Sequence, residues 1–512
     1  KKKMKRLREI ALFTAAISLL GACSGDSGEY NEYEGTPVTA PQATIAPLDP
    51  TNDEPYDAVY FDNPGVNPFI DTEDDALSTF ALDVDTGSYT VARRYLADGN
   101  LPDKDSVRVE EFVNYFEQDY PVPSMDEGLG LTVDGGATPF LQNDRNLVVR
   151  VGIQAAELAG ERPDANLVFV IDTSGSMERE DRLSLVKRSL ELLVGNLRPT
   201  DTVGIIGYGS RAREILPPTP VGEEGDILRA IGELRPDGST NAADGLRLGY
   251  RMADQGFREG GINRVILCSD GVANTGDATG AEGILQLIST ESEKGIDLVT
   301  VGFGMGNYND VLMEQLADQG DGFYAYVDTI DEAGRIFVEG LTGTLVTVAK
   351  DARVQVEFDG QQVQSWRLIG FENRAMADEE FRDDSADAGE IGAGHTVTAL
   401  YEVKPATQAS GDIGVVRLRW LEPSSGMAHE VEEVISSFDL ASDFEATSAR
   451  FQLDVLVAQY AEVLRDSIWA QQIGSDIHDL NDQVGRLEQM LYEDDDVIEF
   501  VGLVRQAASI TS

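Results

Sequence analysis

Five side chains suited to one kind of chemistry stand at three separated places in the 512-residue chain. Asp172, Ser174 and Ser176 occupy alternate positions in Asp172-Thr173-Ser174-Gly175-Ser176, directly after the apolar run 167–171. Thr240 lies in Gly238-Ser239-Thr240-Asn241, and Asp270 lies in Ser269-Asp270-Gly271 after the apolar run 265–267. All five offer hard oxygen and none offers nitrogen or sulfur, a donor set that selects Mg2+, Ca2+ or Mn2+. A tight turn at Gly175 lets positions 172, 174 and 176 converge. Both carboxylates are expected at the carboxyl ends of strands, where open α/β sheets bind ligands. Each short motif alone is ordinary turn or helix-cap sequence; three of them after strands point to one cation.

The elements that must position these groups are legible as a rhythm. Short apolar runs at 167–171, 203–206, 265–267 and 298–301 alternate with stretches of helical spacing at 183–197, 226–234, 242–252, 281–293 and 310–317. Uninterrupted apolar strands imply a sheet covered on both faces. Their alternation with helices predicts a doubly wound, mostly parallel α/β domain over 165–348. Before it, a strand at 78–84 and helices at 89–96 and 107–116 predict a small N-terminal α+β region over 76–140. After it, strands at 354–358, 396–403 and 414–420 and helices at 449–464, 477–491 and 497–508 predict a C-terminal β-rich and helical region over 349–512.

The first residues differ in kind. Six basic residues precede the apolar run 10–20, which ends in small residues at Gly21-Ala22-Cys23, the pattern of a secretory signal peptide over 1–22. The run is too short to span a bilayer. From 23 to 75 the chain is rich in Gly, Pro, Thr, Asp and Glu, with no Lys or Arg between Arg8 and Arg93, and reads as an extended acidic tether. Cys23 and Cys268 are the only cysteines; Cys268 follows an apolar run and reads as a buried structural thiol. The net charge of −51 becomes −56 when 1–22, with six basic residues and one acidic one, is removed. Such acidity makes nucleic acid an improbable partner and suits divalent cations or a saline setting.

Leu20-Gly21-Ala22-Cys23 resembles the lipobox of bacterial lipoproteins, which implies cleavage before Cys23, lipidation of its sulfur and anchoring in the cell envelope, at the outer membrane facing the periplasm or at the surface. Asp172-x-Ser174-x-Ser176, Thr240 and Asp270 together resemble the metal-ion-dependent adhesion site of von Willebrand factor type A domains. The resemblance implies that the serines and the threonine coordinate one ion, with Mg2+ foremost. The carboxylates then bind directly or through water, and one position stays open for an acidic side chain of a protein partner. With 78–123, 302–306 and Gly389-Glu390-Ile391-Gly392-Ala393-Gly394-His395-Thr396, the chain is similar to YfbK-type lipoproteins. It departs from them at Gly271-Val272-Ala273-Asn274-Thr275-Gly276.

Other motifs carry less. Asp83-Val84-Asp85-Thr86-Gly87 begins like a calcium loop but lacks the remaining ligands. Gly302-x-Gly304-x-Gly306 lacks the dinucleotide spacing. Tyr324, Tyr326, Trp366, Trp420 and Trp469 are dispersed and read as core. The three histidines, His395, His429 and His478, fall outside the metal domain and read as solvent-facing or locally bonded. The expectation is therefore a non-enzymatic, membrane-tethered binding protein. The alternative is a metal-dependent hydrolase or modifying enzyme of the envelope.

Overall fold

Alternation along the strand Ala165–Asp172 organises the middle of the chain. Leu167, Phe169 and Ile171 enter one apolar core while Val168 and Val170 enter another on the opposite face, and all five are fully buried. The computed structural model describes residues 59–512 apart from 141–145, 159, 272–277, 306–307, 408–410, 439 and 512. The signal peptide, Cys23 and most of the departing segment 271–276 lie outside the described residues.

The central sheet has the spatial order Tyr324–Val327, Asp297–Phe303, Ile262–Ser269, Ala165–Asp172, Thr202–Tyr208 and Ala212–Pro220. The first five strands are parallel and the sixth is antiparallel. Helices Arg182–Asn196 and Glu224–Glu233 cover one face, and Ala242–Gln255 and Asp310–Asp318 cover the other. Side-chain caps start two of them: Asn241 accepts from the Asp244 amide and Asn309 from the Leu312 amide. The predicted doubly wound α/β domain is therefore present, with two further edge strands.

The flanking regions are interleaved. Strand Leu77–Ala81 pairs with Thr347–Phe358, and strand Leu147–Ala155 pairs with Thr396–Pro405. The expected boundary at 349 thus falls inside a strand that draws its neighbours from both ends of the chain. A six-stranded sheet and a five-stranded sheet enclose one apolar core, which takes Val149, Val151 and Ile153 from one and Val354 and Val356 from the other. Val148 and Leu400 point to the outer face of the six-stranded sheet. There helices Gly87–Ala97, Ala449–Leu464, Ile477–Met490 and Asp495–Ile510 pack in a layer.

The tether read over 23–75 requires correction from residue 59 onward. Val59 and Phe61 are buried, Tyr60 bridges to Asn309, and Ile70–Asp71 forms an edge strand on Val363–Ile369. Two buried apolar side chains outweigh the acidic composition there.

Candidate metal centre

Asp172 closes the central strand, and Ser269 closes the neighbouring one, so Asp172 and Asp270 leave adjacent strands at the same sheet edge. Asp172 is fully buried. Its Oδ1 accepts the Ser174 amide at 2.7 Å and its Oδ2 accepts the Ser269 hydroxyl at 3.0 Å. The Ser174 and Ser176 hydroxyls lie 2.8 Å apart, and Ser176 Oγ donates to Asp270 Oδ1 at 3.1 Å. Four of the five expected residues thus meet in one hydrogen-bonded group.

Thr240 follows a loop that is stitched to the same turn. The Gly175 amide donates to Gly238 O at 2.9 Å, and the Asp237 amide donates to Thr173 O. Thr240 itself is half-buried, and its hydroxyl makes no hydrogen bond to the other four residues. The structure therefore places its loop beside the site.

Burial, and then the charge of Asp270, push the Asp172 carboxyl up to about 7. Burial also raises Asp270, against the opposing pull of the Arg182 guanidinium. Two carboxylates held together out of water favour a nearby cation, and the donor set is all hard oxygen. The residues fit a divalent ion.

Sequence reasoning missed Arg182. Its Nη1 donates to Asp270 Oδ2 at 2.6 Å, its Nη2 to Met305 O, and its side chain is 3% exposed. The signal for it was Gly304. At φ +81° a Cβ on this residue would stand 2.4–2.7 Å from three Arg182 side-chain atoms. A Cβ on Gly302 would strike the Tyr308 hydroxyl at 2.2 Å. These two glycines make room for side chains, which accounts for the motif without a nucleotide; Gly306 lies outside the described residues.

The incipient calcium loop is occupied differently. Asp83, Glu111 and Glu314 bring carboxylate oxygens within 4.8 Å of one another. Arg108 reaches Glu111 and Asp310, and Arg374 reaches Asp83 at 2.9 Å and Glu314 at 3.1 Å. Asp85 accepts the Tyr324 amide at 2.8 Å. This buried ion network joins the N-terminal segment to the helix Asp310–Asp318 and to the loop bearing Arg374.

Comparison with known proteins bears on the whole arrangement. Residues 166–339 match the family model "von Willebrand factor type A domain", residues 55–149 match "von Willebrand factor", and residues 343–413 match "Uncharacterized protein YfbK, C-terminal". YfbK of Escherichia coli strain K12 is 36% identical over 443 residues, covering 80% of this chain and 76% of that one. The chain belongs to the YfbK family.

The protein sll0103 of Synechocystis is 29% identical over 205 residues, covering 40% of this YfbK-family chain and 46% of its own length. Among solved structures, a von Willebrand factor type A protein from Catenulispora acidiphila covers 73% of this chain and 91% of its own, at 14% identity and a TM-score of 0.42.

The remaining candidates are placed as follows. Tyr324 and Tyr326 are buried in the edge strand, and Cys268 is a buried thiol pushed up to about 12 by desolvation. His429 stacks on Trp420 with centroids 5.4 Å apart, and His478 stands in the first turn of the helix Ile477–Met490, its amide donating to the capping Asp476 at 2.8 Å. His395 corrects the expectation of a solvent-facing or locally bonded side chain: its Nδ1 is buried without a hydrogen-bond partner among the described residues.

Proposed function

We propose that this YfbK-family chain is an envelope lipoprotein that grips an acidic side chain of a protein partner through one divalent ion. Mg2+ is the first choice, held by Asp172, Ser174, Ser176, Thr240 and Asp270. The observation that carries the reading is the meeting of Asp172, Ser174, Ser176 and Asp270 at one sheet edge, with two buried carboxylates and no softer donor.

A divalent ion held there supplies a coordination position for a carboxylate from outside. The chain's own residues decide how attractive that position is. Arg182 neutralises Asp270, so the protein contributes one net negative charge against the ion's two positive ones. The centre then keeps about one positive charge, which an incoming carboxylate completes. Ser269 and the Ser174 amide hold Asp172 in its orientation, as outer partners orient metal ligands elsewhere.

Binding is favoured over hydrolysis because no nucleophile with an adjacent base accompanies the centre among the described residues. None of the three histidines is hydrogen-bonded to it. Cys23 would carry the lipid, and the acidic stretch after it would separate the folded part from the envelope membrane, the outer membrane foremost. Labelled palmitate should enter the wild type and not Cys23→Ser.

The function is tested by retrieving partners from envelope extracts with the wild type in Mg2+, the wild type in EDTA, and Asp172→Ala in Mg2+. A partner retained only in the first case is expected. Retention in all three, or an esterase or phosphatase turnover lost with Asp172→Ala, would contradict the proposal.

A further inference from the structure

Asp172 stands between two neighbours whose side chains share its face of the sheet. Tyr208 closes the strand on one side, in register with Asp172, and Ser269 closes the strand on the other. Successive residues of a strand face opposite ways, so all three point with Val168 and Val170 towards the core under helix Ala242–Gln255. All three are fully buried.

The Tyr208 ring lies in a slot that the helix leaves open for it. A Cβ on Gly245 would stand 2.9 Å from Cδ1 of the ring and 3.1 Å from Val170 Cγ1, so the helix comes down on both because this residue has no side chain. The same helix begins directly after Thr240 and the capping Asn241. Tyr208 therefore fills the space between the strand that carries Asp172 and the helix that follows the Thr240 loop.

An apolar ring would fill that slot as well, so the hydroxyl needs its own account. It faces the Ser269 hydroxyl without completing a hydrogen bond, and it is buried with no hydrogen-bond partner among the described residues. Burial, and then the charge of Asp172, push the phenol well above its ordinary value, so it keeps its proton and is available as a donor. A buried hydroxyl left unpaired destabilises a fold.

Ser269 is where that donor has a use. Its hydroxyl has one proton and two acceptors at the same distance, Asp172 Oδ2 at 3.0 Å and Gly271 O at 3.0 Å. Its oxygen accepts the Gly271 amide at 3.2 Å, which leaves one of its two lone pairs open. A donor to that lone pair strengthens Ser269 as a donor in turn. Of its two acceptors, an ionised carboxylate gains more from this than a carbonyl does.

We propose that Tyr208 is a positioning residue of the metal centre: its hydroxyl donates to Ser269 Oγ when an ion is held, and so commits the Ser269 proton to Asp172 and fixes that carboxylate. The inference rests on the reading of the site as a divalent metal centre.

Mg2+ is titrated calorimetrically into the metal-stripped full chain as wild type, Tyr208→Phe, Ser269→Ala and the double variant, and each protein is also melted in EDTA. Tyr208→Phe is expected to bind Mg2+ about tenfold more weakly, as loss of an outer partner of a ligand does. It should nevertheless melt in EDTA at or above the wild-type temperature, because it keeps the ring and removes an unpaired hydroxyl. Ser269→Ala should weaken binding at least as much. The double variant should bind no more weakly than Ser269→Ala alone, since Tyr208 acts through Ser269. A purely structural role predicts the opposite pairing, a lower melting temperature with unchanged affinity. Mg2+ binding by Tyr208→Phe within about twofold of the wild type, or additive losses in the double variant, overturns the inference and leaves the metal centre standing. No saturable Mg2+ binding by the wild type overturns both.

Discussion

At the candidate metal centre two buried carboxylates lie together and one guanidinium, that of Arg182, pairs with Asp270, a balance expected to set both stability and cation affinity. Arg182→Gln leaves Asp270 buried beside Asp172 without its counter-charge. Breaking a buried pair in this way costs about 3–5 kcal/mol. The variant is therefore expected to melt well below the wild type in EDTA and to regain more of its melting temperature on adding Mg2+, because the ion supplies the missing charge. Its Mg2+ affinity should rise roughly tenfold, about 1.4 kcal/mol; an unchanged or weaker affinity would show that Arg182 does not tune the centre. Gly304→Ala should also destabilise, by about 1–3 kcal/mol, since it combines a positive φ with a collision against Arg182. The meeting of Asp172, Ser174, Ser176 and Asp270 was legible from residue type and position after strands, whereas the loop of Thr240, expected after a strand, follows the helix Glu224–Glu233. Arg182 was not: an arginine at the start of an amphipathic helix reads as surface until its carboxylate partner, 88 residues away, is known.

Among the elements legible from local pattern were the parallel strands, whose two faces are both covered. The parallel strands gave continuous apolar runs, and their helices gave helical spacing. Ala212–Pro220 escaped because it is a half-exposed edge strand with prolines at 217, 218 and 220, a composition suited to edges. Leu129–Gly136 and Leu147–Ala155 pair with each other and escaped because Gly130, Gly135 and Gly136 in the first and Arg150, Gly152 and Gln154 in the second interrupt the apolar pattern of a strand. Their connection to the C-terminal helices rests on Arg150. It reaches from its strand to Asp454 at 2.8 Å on helix Ala449–Leu464, where burial holds the carboxyl up at about 6 despite that pairing. Arg150→Met leaves Asp454 with Gln118 as its one side-chain partner among the described residues, and a loss of about 3 kcal/mol in denaturant unfolding is expected. Combining it with Asp454→Leu should restore most of that loss. A double variant no better than the single one would contradict the assigned role of the pair.

For the molecule as a whole, burial of acid is the dominant electrostatic fact. Burial pushes Glu110 up to about 7, Glu111 to about 8 and Glu314 to about 7, the last two against the pull of Arg108. Each binds its proton more tightly when folded than in the unfolded chain, near 4.5. Their favourable contribution is therefore complete below 4.5 and lost as pH rises through 7 to 8. Glu462, held down to about 2 by Arg465 and Arg367 against its own burial, acts oppositely, losing its contribution only as pH falls from 4.5 towards 2. The melting temperature should thus be higher at pH 5.5 than at pH 8.5 in EDTA at constant salt; the reverse order would show that these carboxyls are not the controlling groups. The same excess of negative charge, −51 over the sequence, makes weak cation association with the surface inevitable, so a specific centre must be recognised by stoichiometry and by its residues. The most direct measurement is calorimetric titration of Mg2+, Ca2+ and Mn2+ into the metal-stripped wild type and Asp172→Ala at physiological salt. One saturable ion per chain in the wild type, absent from Asp172→Ala, is predicted; no saturable binding, or binding unchanged by the substitution, would contradict the metal centre.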